Sequence, residues 1–386
     1  NFSIDYPSYQ NRNSDALEIS RIVRNDTATI LYMDAYSRPN YWIRLASGLS
    51  LHGNQTGKNY PIIRSQGFEL DKEVYMPASG NVTFSLQFAP LAPQEKMIDF
   101  IEGANKGDFQ IKSISLNEQE KKGKIHCHIS GKVIDSPQSS RLVLMKAHKN
   151  PSSSPWLSIP IRNGEFQYDF YADHEEVYEV FIWNDMLTGS WLPSLFFAEN
   201  GPVSFTLYPA STRKPGLVST SNPLTCELQQ LESERKAKFN FDSLYAQMNK
   251  LYEENRFESE ALQTLWKRIE QVKDNNEERN NIYRERDRLE ESGEAYTEEG
   301  KALLVKIKQL NEEMNQWTIK HIKQNPSLPG LYVLTSKTEM ARKGEDVTPF
   351  LNAYQETFAS LYPEHPYSQQ MQMLIKNGQP EIGKPY

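Results

Sequence analysis

The spacing of apolar residues changes character near residue 224. Before that point, apolar and polar residues alternate in short runs bounded by turn residues, as in the segment 82–88 (Val-Thr-Phe-Ser-Leu-Gln-Phe). Strict alternation is typical of strands with one buried face. After that point, apolar residues recur every three or four positions, which is typical of amphipathic helices. The chain is therefore predicted to be multidomain, mainly β and then α.

The clearest helical pattern is a seam whose members are spaced by four, three, four, three and four residues: Leu303, Ile307, Leu310, Met314, Trp317 and His321. This spacing resembles that of a coiled coil and predicts one long helix. Asn325-Pro326 should end it, because the residue before a proline is disfavoured in helical conformation.

Turn residues and shifts in composition divide the chain further. We predict a β-sandwich domain at 1–118, a second and smaller β-sandwich at 119–212, a linker at 213–223, an α-helical domain at 224–378 and a tail at 379–386. The charged run 118–123 marks the first boundary, and Asn163-Gly164 predicts a type I′ hairpin turn.

Composition excludes several classes of protein. The chain has 386 residues, a net charge of −7 and 38% hydrophobic residues, so it lacks the basic footprint of a nucleic-acid binder. No apolar run reaches the ~18 residues of a membrane span. The sequence starts at Asn1 rather than methionine, so we expect a processed chain whose leader or lipid anchor lay upstream.

His126 and His128 form the most suggestive pair of metal-ligating residues. On a strand, residues two apart point to the same face, so the two rings could share a metal. A third ligand would be needed, and neither His148 nor His174 has a diagnostic spacing. Surface histidines without a metal are the other interpretation.

Cys127 and Cys226 are the two cysteines of the chain. They could form a disulfide, or Cys127, which alternates with apolar neighbours, could be a buried thiol. Neither has a nearby resolving cysteine, so we expect no redox catalysis within this segment.

Several aromatic residues could form a sugar-binding platform if they are exposed, and core residues otherwise. They are Tyr36, Tyr41, Trp42, Trp156, Trp183 and Trp191, of which Trp42 and Trp183 are the candidate probes.

No catalytic constellation emerges from the sequence. The acidic pairs Glu253-Glu254 and Glu277-Glu278 lie in helical sequence of mixed charge and predict a solvated face. There is no phosphate loop, nucleophile elbow or H-E-x-x-H motif. We therefore assign no catalytic residue and expect no cofactor.

An ordered run of motifs extends over most of the chain: Asp26–Leu31, Arg38–Arg44, Ile129–Val133, Arg162–Phe166, Phe197–Val203, Trp317–Ser327 and Pro329–Tyr332. From residue 124 onward this run resembles the N-terminal, non-catalytic part of secreted thioredoxin-like thiol–disulfide oxidoreductases (TlpA/ResA-like, of the AhpC/TSA superfamily). The first segment resembles an extra leading domain found in some of them.

The resemblance implies that residues 379–386 lead into a C-terminal thioredoxin-like domain with a Trp-Cys-x-x-Cys centre. It also implies an extracytoplasmic location, periplasmic or at the outer membrane of a Gram-negative bacterium, with a lipid anchor upstream. The implied role is to position the redox domain, to dimerise the protein, or to select protein thiol substrates for the redox domain. The alternatives are a stand-alone glycan- or peptide-binding protein and a scaffold that recruits partners through the 303–321 seam.

Overall fold

The computed structural model describes residues 2–117, 124–136, 138–342 and 344–378. It divides into two compact units, residues 1–225 and 226–386. Unit 1 is built mainly of strands and unit 2 of helices, which confirms the predicted fold class. The predicted boundary at 118–123 and the predicted tail at 379–386 lie outside the described residues.

Unit 1 contains two β modules. The described strands of the first module are β1 (Phe2–Asp5), β2 (Asn11–Arg12), β3 (Leu17–Arg24), β4 (Thr29–Tyr36), β5 (Trp42–Ile43), β6 (Ser50–Gly53), β7 (Asn59–Gln66), β8 (Val74–Tyr75), β9 (Asn81–Phe88), β10 (Met97–Ile101) and β11 (Gln110–Ser115). Nine of them form an antiparallel sheet in the order β1-β3-β4-β9-β7-β6-β10-β11-β2, while β5 and β8 pair as a separate ribbon.

The nine-stranded sheet curls around one hydrophobic cluster. Strand β7 joins its two halves, because residues 59–61 pair with β6 and the residues from Ile62 onward pair with β9, with a register shift between Ile62 and Arg64. Such irregularities bend a strand. The alternation predicted for β9 is confirmed, since Phe84, Leu86 and Phe88 are all buried.

The second module contains β12 (Ile125–Val133), β13 (Arg141–Lys146), β14 (Leu157–Pro160), β15 (Glu165–Ala172), β16 (Val177–Ile182), α1 (Trp183–Leu187), β17 (Ser194–Phe197), β18 (Gly201–Leu207) and β19 (Leu217–Ser219). Two four-stranded sheets, β15-β12-β18-β19 and β14-β13-β16-β17, form a sandwich. Its core includes Ile129, Leu142, Phe196 and Phe205, all buried.

The Asn163-Gly164 turn has the predicted conformation. Asn163 has φ +52° and Gly164 has φ +73°, and Arg162 bridges to Glu165, as a type I′ turn requires. Residues 213–223, predicted to be a linker, include β19, which pairs with β18 at the edge of a sheet. The predicted linker is thus partly built into the sandwich.

Unit 2 is helical. Its described helices are α2 (Pro223–Lys238, which starts in unit 1), α3 (Asp242–Glu253), α4 (Glu260–Gln271), α5 (Asn276–Ser292), α6 (Glu298–Gln324), α7 (Leu328–Glu339), α8 (Thr348–Ala353), a π-helical turn (Tyr354–Phe358) and α9 (Pro366–Lys376). Helix α6 ends directly before Asn325-Pro326, as predicted. Ser259, Asn275 and Thr297 cap three of the helices, each accepting a backbone N–H bond in the first turn. Among the described helices, none combines the length and apolarity needed to cross a bilayer.

Candidate functional site

His126 and His128 lie on the exposed face of β12, and β15 brings Asp169 between them. The register of the two strands pairs His128 with Asp169 and His126 with Tyr171. Both rings contact the same carboxylate oxygen, since His126 Nε2 lies 2.7 Å and His128 Nδ1 3.0 Å from Asp169 Oδ1. The His126 ring also stacks on Tyr171, with centroids 4.9 Å apart.

The electrostatics of this cluster favour an ionised Asp169. Partial burial raises its pKa, but the bonds from His128 and His126 outweigh burial, so that the pKa lies below its usual value. A carboxylate only accepts hydrogen bonds, so His126 must carry its proton on Nε2 and His128 on Nδ1 to donate both.

The two histidines are therefore engaged with a carboxylate oxygen that occupies the space between them. Among the described residues, no group of three or more His, Cys, Asp or Glu side chains is arranged to hold a metal ion. Asp169 was missed by the sequence analysis because it lies 41 residues from His128 and only strand pairing brings the two together.

Cys127 points to the opposite face of β12, into the core of the sandwich. Burial raises the pKa of its thiol to about 12, although a hydrogen bond from the Glu199 backbone opposes this shift. Cys226 is half-buried. Both cysteines are thiols in the structure rather than partners in a disulfide. Because the thiolate is the reactive form, Cys127 is unsuited to redox chemistry.

Trp42 belongs to an exposed pair of aromatic residues. It faces Tyr75 directly across the β5–β8 ribbon, and the two side chains are 49% and 59% exposed. Directly opposed residues on antiparallel strands project to the same face. Tyr75 was missed because its strand is only two residues long, which is too short for alternation to be visible.

Trp183 does not lie on an exposed platform, so the alternative of a core residue applies to it. It is 4% exposed and packs with Tyr36 and Trp156 around the guanidinium of Arg141. The cation attracts the negative faces of these rings. Of the aromatics considered for a platform, Tyr36, Trp156 and Trp183 are therefore core residues, whereas Tyr41 and Trp42 are exposed. The burial of Arg141 was not predicted from the sequence, because charged side chains are rarely fully buried.

The motif Phe197–Val203 has a structural role. Its Glu199 is buried, and the carboxylate accepts hydrogen bonds from the backbone N–H groups of Leu224 and Thr225 at 2.9 Å and from the Thr225 hydroxyl at 3.0 Å. These donors lie in the first turn of α2, where helix N–H groups have no internal acceptor. A negative side chain at this position is also favoured by the helix dipole.

Gly131, in the motif Ile129–Val133, is equally structural. Strand β12 runs parallel to β18 here, and a Cβ at position 131 would collide with the carbonyl oxygen of Phe205. Only glycine fits this close approach.

Other residues of the same chain partly cover the 303–321 seam of α6. Leu303 is buried, while the remaining members are half-buried. Trp317 stacks on His321 and meets Phe239 edge to face, with centroids 4.8 and 5.8 Å apart. Helix α3 packs along α6 as well.

Comparisons with known proteins add little. No family model matches the chain, and no curated protein matches it. Among solved structures, a type I pullulanase from Bacillus subtilis str. 168 complexed with maltose is 10% identical, with a TM-score of 0.14, over 45% of this chain and 23% of that one.

A second similar structure is translation elongation factor SelB from Methanococcus maripaludis in its apo form. It is 8% identical, with a TM-score of 0.13, over 52% of this chain and 47% of that one. The chain thus spans less than half of either protein. Similarity at this level carries no argument about fold or function.

Proposed function

We propose that this chain is the non-catalytic accessory region of an extracytoplasmic thioredoxin-like thiol–disulfide oxidoreductase. Its role is to position a redox domain that follows Tyr386, to dimerise the protein, or to select substrates for that domain. The proposal rests on the ordered run of motifs. The fold supports it because the motif residue Gly131 allows close packing of two strands and the motif residue Glu199 caps a helix. Such roles are expected of a scaffold rather than of a reaction centre.

The state of Cys127 adds to this support. A buried thiol whose pKa is raised to about 12 is protonated at neutral pH, and a protonated thiol does not attack disulfides. Cys127 is therefore not suited to any disulfide exchange that the parent protein carries out. The proposed periplasmic or outer-membrane location, with an upstream lipid anchor, rests on the resemblance alone.

The codons that follow Tyr386 test the proposal most directly. We expect the reading frame to continue for a further domain that contains a C-x-x-C centre. A frame that ended close to Tyr386 would refute the proposal. As a biochemical companion test, the full-length protein should reduce insulin disulfides, whereas residues 1–386 alone should not.

The 303–321 seam of α6 is the proposed dimer interface. Light scattering on the chain measures it, with Leu310→Glu and the exposed Val305→Glu as a matched pair. A dimer lost only in L310E supports the seam as an interface. A strict monomer assigns the seam to packing within the chain.

A second candidate function is the binding of glycans or peptides, which the exposed Trp42–Tyr75 pair favours. Paired aromatic faces are suited to sugar rings and to apolar peptide side chains. Glycan and peptide arrays would test it, with Trp42→Ala and Tyr75→Ala as probes and the exposed Ile63→Ala as control. Binding by none of the arrays, or binding unchanged in both probes, would exclude this function.

A further inference from the structure

The outer face of the β5–β8 ribbon carries two charged side chains beside its aromatic pair. Arg44 directly follows β5 and Glu73 directly precedes β8. Burial alternates through both segments, so that Trp42 and Arg44 are exposed on one side of the ribbon and Glu73 and Tyr75 on the other, while the residue between each two is more deeply buried. Because residues two apart in extended backbone project to the same face, all four side chains share the surface of the Trp42–Tyr75 pair.

The ribbon that carries this face is packed against the core of the first module. Ile43 and Met76, on its inner side, are buried members of the hydrophobic cluster of that module. The N–H of Met76 donates to the Tyr41 carbonyl at 2.8 Å, and the N–H of Asn40 donates to the Met76 carbonyl at 3.0 Å. A surface that is fixed in this way loses little conformational entropy when it binds a ligand.

The polar groups of the face are also held in place. The Tyr75 hydroxyl donates to Glu73 Oε2 at 3.0 Å. Arg44 Nη2 lies 3.8 Å from Asp71 Oδ1, which accepts the backbone N–H of Ser47 at 3.0 Å. The Glu73 carboxylate keeps lone pairs for further donors, and the Arg44 guanidinium keeps N–H groups for further acceptors. The face therefore combines two aromatic rings with hydrogen-bonding groups of both kinds.

The charges around the two rings balance. The segments 38–44 and 69–75 contain three positive and three negative side chains: Arg38, Arg44 and Lys72 against Glu69, Asp71 and Glu73. Lys72 pairs with Glu69, and Arg44 pairs with Asp71. Since complementary charge is what selects a charged partner, a balanced surface favours a ligand that carries no net charge.

We propose that this face binds a neutral oligosaccharide, whose pyranose rings stack on Trp42 and Tyr75. One face of a pyranose ring presents C–H groups, which suit the negative face of an aromatic ring. Its rim presents hydroxyls, which both donate and accept hydrogen bonds. Glu73 accepts from these hydroxyls and Arg44 donates to them. An apolar peptide side chain would use the rings alone, so the two charged groups favour a sugar.

This proposal rests on the second candidate function, the binding of glycans or peptides by the Trp42–Tyr75 pair, and specifies its ligand. Calorimetric titrations of the full chain with maltohexaose, cellohexaose, xylohexaose and mannohexaose test it, with hexagalacturonate as the anionic comparison and an array of apolar peptides in parallel. We expect at least one neutral hexasaccharide to bind, and to bind more tightly than hexagalacturonate.

Variants of the face locate the binding. Trp42→Ala should weaken it about tenfold, as expected for the loss of one aromatic contact, and Trp42→Phe should restore most of the affinity because it keeps a flat ring. Glu73→Ala should also weaken it about tenfold, because the sugar hydroxyls lose a charged acceptor. The exposed aromatic Tyr245 of unit 2 supplies the control, since Tyr245→Ala should leave the affinity unchanged. The substituted side chains are exposed, so each variant should keep its Tm within about 2 °C.

Three outcomes would overturn the proposal. The first is that none of the neutral hexasaccharides binds. If peptides then bind and W42A abolishes that binding, the second candidate function stands and only the sugar is refuted, whereas binding of neither class refutes both. The second outcome is a neutral hexasaccharide that W42A and E73A bind as tightly as the wild type does, which would place the sugar elsewhere. The third is tighter binding of hexagalacturonate than of every neutral hexasaccharide.

Discussion

The guanidinium carbon of Arg141 lies 4.0 Å from the centre of the Tyr36 ring. The two residues belong to different β modules of unit 1, since Tyr36 ends β4 and Arg141 begins β13. Arg141 is fully buried, and Glu18 lies 3.6 Å from its Nη1. Among the described residues, Nε and Nη2 of Arg141 have no hydrogen-bond partner. The aromatic faces therefore compensate for part of the hydration that the Arg141 guanidinium loses on burial. The same contacts stabilise the packing of the two modules against each other.

Truncation of Arg141 should destabilise unit 1 strongly. Arg141→Ala leaves a cavity among three rings and removes one cation from Glu18, which keeps Arg12 as its partner. We expect a loss of about 3 kcal/mol in the free energy of unfolding. Arg141→Met should lose less, because it fills the space without a buried charge. Urea titrations followed by tryptophan fluorescence measure both.

The exposed Arg38, whose guanidinium lies 6.0 Å from the Tyr41 ring centre, provides the control for this series. Arg38→Ala should change the free energy of unfolding by no more than about 0.5 kcal/mol. Equal losses for R38A and R141A would contradict a special role for the buried cation.

The two thiols should differ sharply in reactivity. Because burial raises the pKa of Cys127 from 9.0 to about 12, its thiolate fraction at pH 8 falls roughly a thousandfold. In a Cys226→Ser variant, we expect Ellman's reagent to leave the folded protein unmodified and to react fully in guanidinium chloride.

The matched variant is Cys127→Ser, in which the half-buried Cys226 should react with the folded protein. Rapid modification of folded C226S would contradict the burial of Cys127. It would also remove one of the supports for a non-catalytic role of this segment.

Local sequence patterns predicted the parts of the fold that local physics decides. The φ angles of Asn163 and Gly164, the alternation in β9 and the end of α6 at Asn325-Pro326 follow from backbone sterics and periodicity. The π-helical turn at 354–358 does not, because a proline-led amphipathic segment looks the same with or without one extra residue in a turn.

Each candidate site is formed by residues that lie far apart in the sequence. The sequence therefore indicated one residue of each pair but not its partner. His126 was visible but Asp169 was not, and Trp42 was visible but Tyr75 was not. The burial of Trp183 could not be predicted, because an aromatic residue beside turns looks the same in the sequence whether a second module covers it or not. Pairing and burial across modules are tertiary properties.

The His–Asp–His cluster should stabilise the protein in a pH-dependent way. The folded-state pKa of Asp169 lies below its ordinary value of 3.8, so its contribution is complete above the unfolded pKa and is lost as the pH falls through the folded pKa. The difference in stability between wild type and Asp169→Asn should therefore be larger at pH 5 than at pH 3. The side chains are half exposed, so the effect is small.

Urea titrations at pH 3, 4 and 5 measure this difference, with Asp26→Asn in an exposed turn as a control for removing one negative charge. A difference that stays constant across this range, or that grows toward pH 3, would contradict the bonds from the two histidines to Asp169.

The Glu199 cap on α2 should contribute measurably to the stability of unit 1. Glu199 satisfies the Leu224 and Thr225 N–H groups and the Thr225 hydroxyl, which in turn accepts from the Phe197 N–H at 3.0 Å. Glu199→Ala leaves these buried donors without an acceptor, so we expect a loss of about 1–3 kcal/mol. Glu199→Gln keeps one acceptor oxygen and should lose less, because only the charge and one bond disappear.

The ordering of these two variants separates capping from simple loss of contact. If E199A and E199Q were equally destabilised in urea titrations, charge at the helix terminus would outweigh the acceptor geometry. If neither differed from the wild type, the cap would contribute nothing. The exposed Glu165→Gln, which removes a surface carboxylate from the same module, should stay within about 0.5 kcal/mol of the wild type. Amide exchange at Leu224 and Thr225 should also accelerate in E199A, because an N–H that has lost its acceptor exchanges more readily with solvent.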